Sequence, residues 1–140
     1  MQSRKHNEYT CKLTYGVTID PGNSIIITQS GEKIFEKYNF RYGNIKEFVG
    51  VYPYFYLNLD DYHFLTIDCL KQDYEDLTGP KISHINSKLL SCCWSIQNIS
   101  YVCFHNGKMF CTLTITDQDS WKIKVFDAVY SFTTKCFEVI

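Results

Sequence analysis

The sequence is poor in the residues that build helices. It has a single alanine and two methionines among 140 residues, and both types are strong helix formers. Tyrosine and phenylalanine are instead abundant, with 11 and 10 copies. Aromatic and β-branched side chains fit a pleated, half-buried surface, so the composition predicts a strand-rich domain.

The signatures of common enzyme folds are also missing. There is no G-x-G-x-x-G and no G-x₄-G-K-S/T phosphate loop, because the seven glycines are scattered as turn residues. There is no G-x-S-x-G elbow that would present a serine nucleophile. The adjacent acids Asp60-Asp61 and Glu75-Asp76 lie in predicted turns, where such residues are usually solvated. The sequence therefore predicts no cofactor and favours a non-enzymatic role.

Charge of one sign is not in excess. Fourteen basic and 15 acidic residues give a net charge of −1, whereas binding to a nucleic-acid backbone usually needs a basic excess or stripe. No run of 18 apolar residues is long enough to cross a bilayer, and the first residues lack the apolar run of a signal peptide. We therefore expect no nucleic-acid or membrane partner and a cytoplasmic or nuclear location.

Cysteine is frequent, but its spacing fits neither a metal site nor a disulfide framework. The sequence has no C-x₂-C, which is typical of structural zinc sites. An odd number of cysteines without a signal peptide argues against a secreted disulfide scaffold. Most of them lie in apolar runs, where cysteine behaves as a small hydrophobic residue. We therefore predict free, mostly buried thiols and no metal. The cysteines are Cys11, Cys69, Cys92, Cys93, Cys103, Cys111 and Cys136.

The first part of the chain alternates between apolar and polar residues. Leu13 to Ile19 has the period of two that is typical of a strand. Asp20-Pro21-Gly22-Asn23 is turn chemistry and leads into a second strand at Ser24 to Thr28. Glu32 to Phe40 suits either a strand or a short helix. Residues 1–9 are polar and are predicted to form an N-terminal arm.

The middle of the chain predicts a long aromatic hairpin. Phe48 to Leu59 forms one strand, Asp60-Asp61 a two-residue loop and Tyr62 to Cys69 the returning strand. This loop length places Leu57 opposite Phe64. Both faces of the pair are apolar, which indicates central strands packed on two sides.

Asn106-Gly107 is the strongest local signal in the sequence, because this dipeptide between alternating segments favours a type I′ hairpin turn. Pairing across the turn sets Phe104 opposite Met109 and Val102 opposite Cys111. One face is predicted to be the core face and carries Val102, Phe104, Met109, Cys111, Leu113 and Ile115. The other face carries Tyr101, Cys103, His105, Lys108, Phe110, Thr112 and Thr114.

Three further segments complete the pattern. Gln72 to Leu77 is predicted to be a loop or a short helix, and Lys88 to Ser95 a strand. The C-terminal stretch begins as a strand, because apolar residues alternate with Lys122 and Lys124. The same stretch also presents an apolar helical face, so residues 122–137 are left open between strand and helix.

These elements predict one domain over residues 1–140. Eight or nine short strands with frequent turns favour an antiparallel β-sandwich or barrel. The alternative is an α+β fold in which a C-terminal helix lies on an antiparallel sheet.

Aromatic side chains are the best candidates for a binding site. Tyr52, Tyr54 and Tyr56 fall on one face of the predicted long strand, and Tyr101 and Phe110 on the outer face of the Asn-Gly hairpin. These residues either form a second core or offer an amphipathic surface to a partner protein.

Two functions follow from these features. The first is a non-enzymatic module that binds another protein through an aromatic sheet face or an unpaired edge strand. The abundance of residues with A/T-rich codons is typical of viral, protist or insect genes, so a small viral protein that engages a host factor is one expected instance. The alternative is a small hydrolase or transferase that pairs a reactive cysteine with a histidine, with no particular pair assigned. Cys103 and His105 share a predicted strand face, but their side chains project in parallel about 6–7 Å apart, too far for direct proton transfer.

Overall fold

The computed structural model describes residues 8–11, 14–20, 22–60, 62–78, 85–86, 94–117 and 119–140. All helical or strand structure in these ranges is β-strand, so the strand-rich class is confirmed. The thirteen strands are β1 (Glu8–Cys11), β2 (Tyr15–Asp20), β3 (Ser24–Gln29), β4 (Glu32–Tyr38), β5 (Ile45–Val51), β6 (Tyr54–Leu59), β7 (His63–Asp68), β8 (Asp73–Asp76), β9 (Ile85–Asn86), β10 (Trp94–His105), β11 (Lys108–Asp117), β12 (Lys122–Ser131) and β13 (Cys136–Val139). The alternative with a C-terminal helix is wrong, because β12 pairs with β11 along its whole length.

The strands fall into two compact units, residues 1–74 and residues 75–140. Each unit is described by itself below. The single domain over residues 1–140 stays a prediction.

The first unit contains two open antiparallel sheets around one core. Their strand orders are β1-β2-β3-β4 and β5-β6-β7-β8, with β8 crossing the boundary between the units. The core takes alternate side chains from both sheets, as two stacked sheets require. It includes Val17, Ile19, Ile25, Ile27 and Phe35 from one sheet and Phe48, Phe55, Leu57, Leu65 and Ile67 from the other. The antiparallel β class of the predicted fold is thus confirmed, and its sandwich or barrel form stays a prediction.

The first predicted hairpin is confirmed. Strands β2 and β3 pair from Tyr15 with Gln29 to Asp20 with Ser24. Asn23 closes the turn: its backbone N–H donates to the Asp20 carbonyl at 2.9 Å and its side-chain amide to the Asp20 carboxylate at 2.9 Å. The ambiguous segment from Glu32 onward is a strand.

The predicted N-terminal arm needs one correction. Glu8 and Tyr9 belong to β1, because they pair with Thr18 and Val17 of β2. Residues 1–7 lie outside the described residues.

The predicted long strand from Phe48 to Leu59 is wrong. The chain reverses at Tyr52 and Pro53, so that Val51 at the end of β5 pairs with Tyr54 at the start of β6. Proline has no N–H to donate to a sheet ladder, and a turn between two strands avoids that loss.

The predicted register of the following hairpin is also wrong by one residue. Three residues rather than two separate β6 from β7, so Leu57 pairs with Leu65 and Asn58 with Phe64. Asp60 adopts a φ of 52°, which aspartate tolerates better than most residues. A one-residue slip moves every side chain to the other face, and this register places Leu57 and Leu65 together in the core.

The second unit contains one open sheet of order β10-β11-β12-β13-β9. Its pairs are antiparallel apart from β13 with β9, which is parallel. The predicted core face is buried at Met109, Cys111, Leu113 and Ile115. On β12 the same face buries Ala128 and Tyr130, which pair with Cys111 and Met109.

The Asn-Gly hairpin forms as predicted near its turn. Asn106 and Gly107 have φ values of 50° and 73°, the left-handed conformations that a type I′ turn requires, and Phe104 pairs with Met109. Between Ser100 and Cys103 a bulge shifts the register, so that Val102 lies opposite Cys111 as predicted but shares that position with Tyr101 and lies outside the regular ladder. Val102 and Phe104 are only half-buried, unlike the core residues of β11 on the predicted core face.

Two further predicted segments are tested, the second only in part. Residues 73–76 form β8 instead of the loop or short helix predicted for Gln72 to Leu77. Of the strand predicted for Lys88 to Ser95, residues 88–93 lie outside the described residues, whereas Trp94 and Ser95 begin β10. Within the described part of the chain, no helix has the length and apolar character needed to traverse a bilayer.

Candidate functional site

The three tyrosines predicted for one strand face do not lie together on one strand. Tyr52 occupies the turn between β5 and β6, is 44% exposed and donates its backbone N–H to the Tyr15 hydroxyl at 3.0 Å. Tyr54 and Tyr56 share a face of β6, because they are two residues apart. Tyr54 is half-buried.

Tyr56 lies inside the protein, with no exposed surface. Its neighbour across the β6–β7 pair is Thr66, which is also buried, and Phe64 on the same face is buried as well. The opposite face of β6 supplies Phe55 and Leu57 to the core of the first unit. The β6–β7 pair is therefore buried on both faces, as its apolar character predicted, and Tyr56 packs as a core residue.

Phe110 lies on the sheet face of the second unit that is opposite its buried side chains. We call this surface the outer face. It comprises Asn98, Ser100, Cys103 and His105 of β10, Lys108, Phe110, Thr112, Thr114 and Thr116 of β11, Ile123, Val125, Asp127, Val129 and Ser131 of β12, and Cys136 and Glu138 of β13. Tyr101 lies in a bulge of β10 and joins the outer face at a depression that Phe110 also lines.

Large apolar side chains are unusually exposed on the outer face. Tyr101 is 85% exposed, Ile123 69% and Val125 61%. Ile123 and Val125 are adjacent on this face of β12 and lie opposite Thr116 and Thr114. Single exposed apolar residues are common, but a contiguous group is typical of an interaction surface.

Strand β12 has the reverse of the expected orientation. Ile123 and Val125 point outward, whereas Lys124 lies on the side of the buried residues and pairs with Ile115. The Lys124 ammonium is 3.3 Å from the carboxylate of the buried Asp117. The ion pair with Asp117 therefore accommodates a lysine on the core side while two β-branched apolar residues face solvent.

Tyr101 owes its exposure to the bulge in β10. The bulge places Tyr101 and Val102 opposite the single residue Cys111, and Tyr101 adopts a φ of 53°. Positive φ is an outlier for a bulky residue, and bulges redirect side chains locally. Strain of this kind is often found at functional sites.

The redirected Tyr101 borders a shallow depression on the outer face. The depression has a volume of about 330 Å³ and opens to solvent. Phe110, Thr112, Asp127 and Ile140 contribute to its lining. Both candidate residues predicted on this hairpin therefore line one concave site, together with a hydroxyl and a carboxylate.

The carboxylate in the depression accepts one side-chain hydrogen bond. Thr112 lies directly opposite Asp127 and donates its hydroxyl to Oδ1 at 3.2 Å. The backbone carbonyl of Asp127 accepts a hydrogen bond from the backbone N–H of Ile140 at 2.9 Å. The Asp127 side chain is exposed, so its carboxylate is open to a ligand.

The described cysteines include two deeply buried thiols. Burial raises the pKa of Cys69 to about 12, with a smaller contribution from the Asp68 charge. Burial likewise raises the pKa of Cys111 to about 12, with smaller contributions from Cys103 and Asp127. These two thiols are therefore protonated at neutral pH and unsuited to nucleophilic attack.

The other two described cysteines, Cys103 and Cys136, are less buried, and all four described cysteines are free. The prediction of free thiols is confirmed for these four. The side chains of Cys11, Cys92 and Cys93 lie outside the described residues. No group of three or more His, Cys, Asp or Glu side chains suited to a metal ion occurs among the described residues.

Sequence patterns missed Asp127, Thr112 and the outward orientation of Ile123 and Val125. Alternation on β12 indicated two distinct faces, but it did not indicate which face is buried. The orientation of β12 follows from its pairing with β11, which places Lys124 opposite the buried Ile115.

Comparison with known proteins gives no relative from which a function is transferable. No protein-family model matches the chain, and no curated protein or solved structure matches it significantly.

Proposed function

We propose that the chain is a non-enzymatic module that binds another protein through the outer face. The observation that carries this proposal is the orientation of β12. Ile123 and Val125 are 69% and 61% exposed, whereas Lys124 is turned toward the buried Asp117. Exposing apolar side chains while placing a lysine on the core side lowers the stability of the fold. In natural proteins, residues that oppose the stability of the fold in this way occur mainly at functional sites.

The composition of the outer face supports protein binding. Tyrosine and phenylalanine are enriched at protein interfaces because they combine large apolar area with few rotatable bonds. Tyr101 and Phe110 provide such side chains at the depression, whose Asp127 lies next to Val125 on the same face of β12. The threonines of β11 surround them with hydroxyl groups, as in an interface with a polar rim.

A face is favoured over an edge as the docking element. Strand β10 is an edge of its sheet among the described strands, but its ladder is interrupted by register shifts between Ile96 and Asn98 and between Ser100 and Cys103. Bulges of this kind discourage the addition of a further strand. The partner therefore docks on side chains more readily than on backbone groups.

The proposal includes a cytoplasmic or nuclear location and, as one instance, a viral protein that engages a host factor. The near-neutral net charge of −1 supports a protein partner over a nucleic acid. The expected location and the viral instance both derive from the sequence alone.

A photo-crosslinking experiment tests the proposal. The full chain carries p-benzoylphenylalanine at position 125 or, as a matched control, at position 62, since Tyr62 is 75% exposed in the first unit. After illumination in lysate, a partner should be attached at position 125 and not at position 62. The variant Ile123→Thr, with the crosslinker kept at position 125, should weaken capture, because threonine preserves strand propensity and removes apolar area.

The result that refutes the proposal is equally defined. Equal crosslinking at positions 62 and 125, or capture at position 125 that is undiminished in the Ile123→Thr variant with a native circular dichroism spectrum, excludes the outer face. A third variant, Tyr56→Ser, should instead unfold the protein, because truncating a fully buried aromatic residue costs about 3–5 kcal/mol.

The second candidate is a small cysteine-dependent hydrolase or transferase. The observation that favours it is the presence of Cys103 and His105 on the outer face, both exposed. Residues two apart on a strand project in parallel about 6–7 Å apart, which is too far for direct proton transfer between the two side chains. Selective alkylation of Cys103, described below, separates this candidate from the first.

A further inference from the structure

We infer that the depression beside Tyr101 binds an arginine side chain of the partner protein. This inference rests on the proposed function and deepens it, because it names the group that the outer face recognises. It is carried by one carboxylate and two aromatic rings that line the same concave site: Asp127, Tyr101 and Phe110.

The carboxylate has the form of a receptor for a cation. Asp127 is exposed, and Thr112 occupies part of Oδ1 through a hydrogen bond of 3.2 Å. A carboxylate accepts about four hydrogen bonds, so acceptor positions besides the one used by Thr112 are available to a cationic donor on the exposed Asp127 side chain.

The charges around the depression also favour a cation. Glu138 lies on the same face, opposite Val129, which in turn lies opposite Phe110. Among the described residues of the outer face, Lys108 is the only lysine, and it lies two residues along β11 from Phe110, about 6–7 Å, and four residues from Thr112, about 13 Å. The two carboxylates of Asp127 and Glu138 thus outnumber one ammonium group around the depression.

The aromatic rings select arginine over other cations. The planar guanidinium stacks on aromatic faces, forms two parallel hydrogen bonds with a carboxylate and is more weakly hydrated than an ammonium group. Tyr101 and Phe110 provide the ring surface, and Asp127 provides the carboxylate. A volume of about 330 Å³ lies at the small end of the range for ligand pockets, about 300–1,000 Å³, and thus suits one side chain of a larger partner.

The bulge explains why Tyr101 borders the depression. A regular ladder would align this part of β10 with β11, whereas the bulge gives Tyr101 a φ of 53° and places it at the border of the depression. The backbone therefore positions Tyr101 beside Asp127 before any ligand binds.

The test uses the tripeptide Ac-Gly-Arg-Gly-NH₂ and its isosteric neutral analogue with citrulline. Each is titrated into the ¹⁵N-labelled full chain at constant ionic strength, and amide shifts are followed by NMR. We expect the arginine peptide to shift the amides of Thr112, Asp127 and Ile140 with an affinity about fivefold higher than that of the citrulline peptide.

Three variants locate the effect. Asp127→Asn keeps an acceptor for the Thr112 hydroxyl and removes the charge, so the preference for arginine should disappear. Tyr101→Gly removes a ring at a φ that glycine adopts freely, and should lower arginine affinity by about two- to fivefold. Glu138→Gln makes the same charge change outside the depression and should alter affinity by less than about twofold.

The outcomes distinguish this inference from the proposed function. Equal affinity for the two peptides, or a preference for arginine that persists in Asp127→Asn, overturns the arginine site. If crosslinking at position 125 nevertheless captures a partner, the proposed function stands and only the inferred group is wrong. If neither experiment succeeds, both are rejected.

Discussion

The buried thiol of Cys111 provides a direct test of the second unit. Burial raises its pKa from 9.0 to about 12. At pH 8 this shift lowers the fraction of thiolate, which is the form that iodoacetamide alkylates, about a thousandfold. The thiol is also only 6% exposed. We therefore expect iodoacetamide to label exposed Cys103 at pH 8 while Cys111, on the neighbouring strand, stays unlabelled until the protein unfolds.

The pH dependence follows from the same shift. An ordinary thiol reaches its maximal rate above about pH 9, whereas the rate at Cys111 should keep rising about tenfold per pH unit to about pH 12. Because the folded pKa exceeds the unfolded one, burial of the neutral thiol favours the folded state fully below about pH 9. That contribution is lost as the pH rises through about 12.

Peptide mass spectrometry after timed quenching measures each cysteine separately. Asp127→Asn should leave Cys111 protected, because burial is the largest cause of the raised pKa and the Asp127 charge the smallest. Labelling of Cys111 at the rate of Cys103 in the native protein, or release of Cys111 by Asp127→Asn, refutes the reasoning. Alkylation of Cys103 near pH 6 far faster than that of Cys136 favours the cysteine-dependent enzyme instead.

Two predictions concern stability and are measured by urea unfolding. Gly50→Ala should cost about 2–4 kcal/mol, because a Cβ there would lie 2.5 Å from the Tyr54 carbonyl oxygen and 2.8 Å from Phe55 Cα; Gly31→Ala, with φ of 85° and open space around it, should cost only about 1–2 kcal/mol. A smaller loss at Gly50 than at Gly31 would contradict the β5–β6 register. Asp117→Ala should cost about 2–3 kcal/mol, since it removes a buried partner of Lys124, and a loss below about 0.5 kcal/mol would contradict that role.

Prediction from the sequence succeeded where one local sequence feature favoured a single structure. Asn106-Gly107 favours one turn type, so the turn and the pairing of Phe104 with Met109 followed from sequence. The period of two likewise predicted which residues of β11 are buried, because every core-facing position from Met109 to Ile115 is apolar. At this turn and on β11, the residue propensities, the pattern of apolar residues and the tertiary packing all favour the same structure.

The failures arose where the sequence admits two solutions that differ little locally. Tyr52-Pro53 fits a strand with a bulge as well as a tight turn, and only pairing of Val51 with Tyr54 decides for the turn. A loop of two or three residues after Leu59 is compatible with apolar residues on both faces, so the pattern did not select the register. Because β6 and β7 are buried on both sides, alternation carries little information there.

The two departures on the outer face have a different origin. The bulge at Tyr101 and the outward orientation of Val125 both place apolar area in solvent, and each has a local cost in backbone strain or lost burial. They meet on one surface, since Thr112 pairs with Asp127 and Thr114 with Val125, one alternate position along. Exposed apolar side chains also occur in the first unit, at Tyr38, Tyr62 and Leu70. What distinguishes Tyr101 and Val125 is that both lie beside the exposed carboxylate of Asp127, which is the arrangement that the inferred arginine site requires.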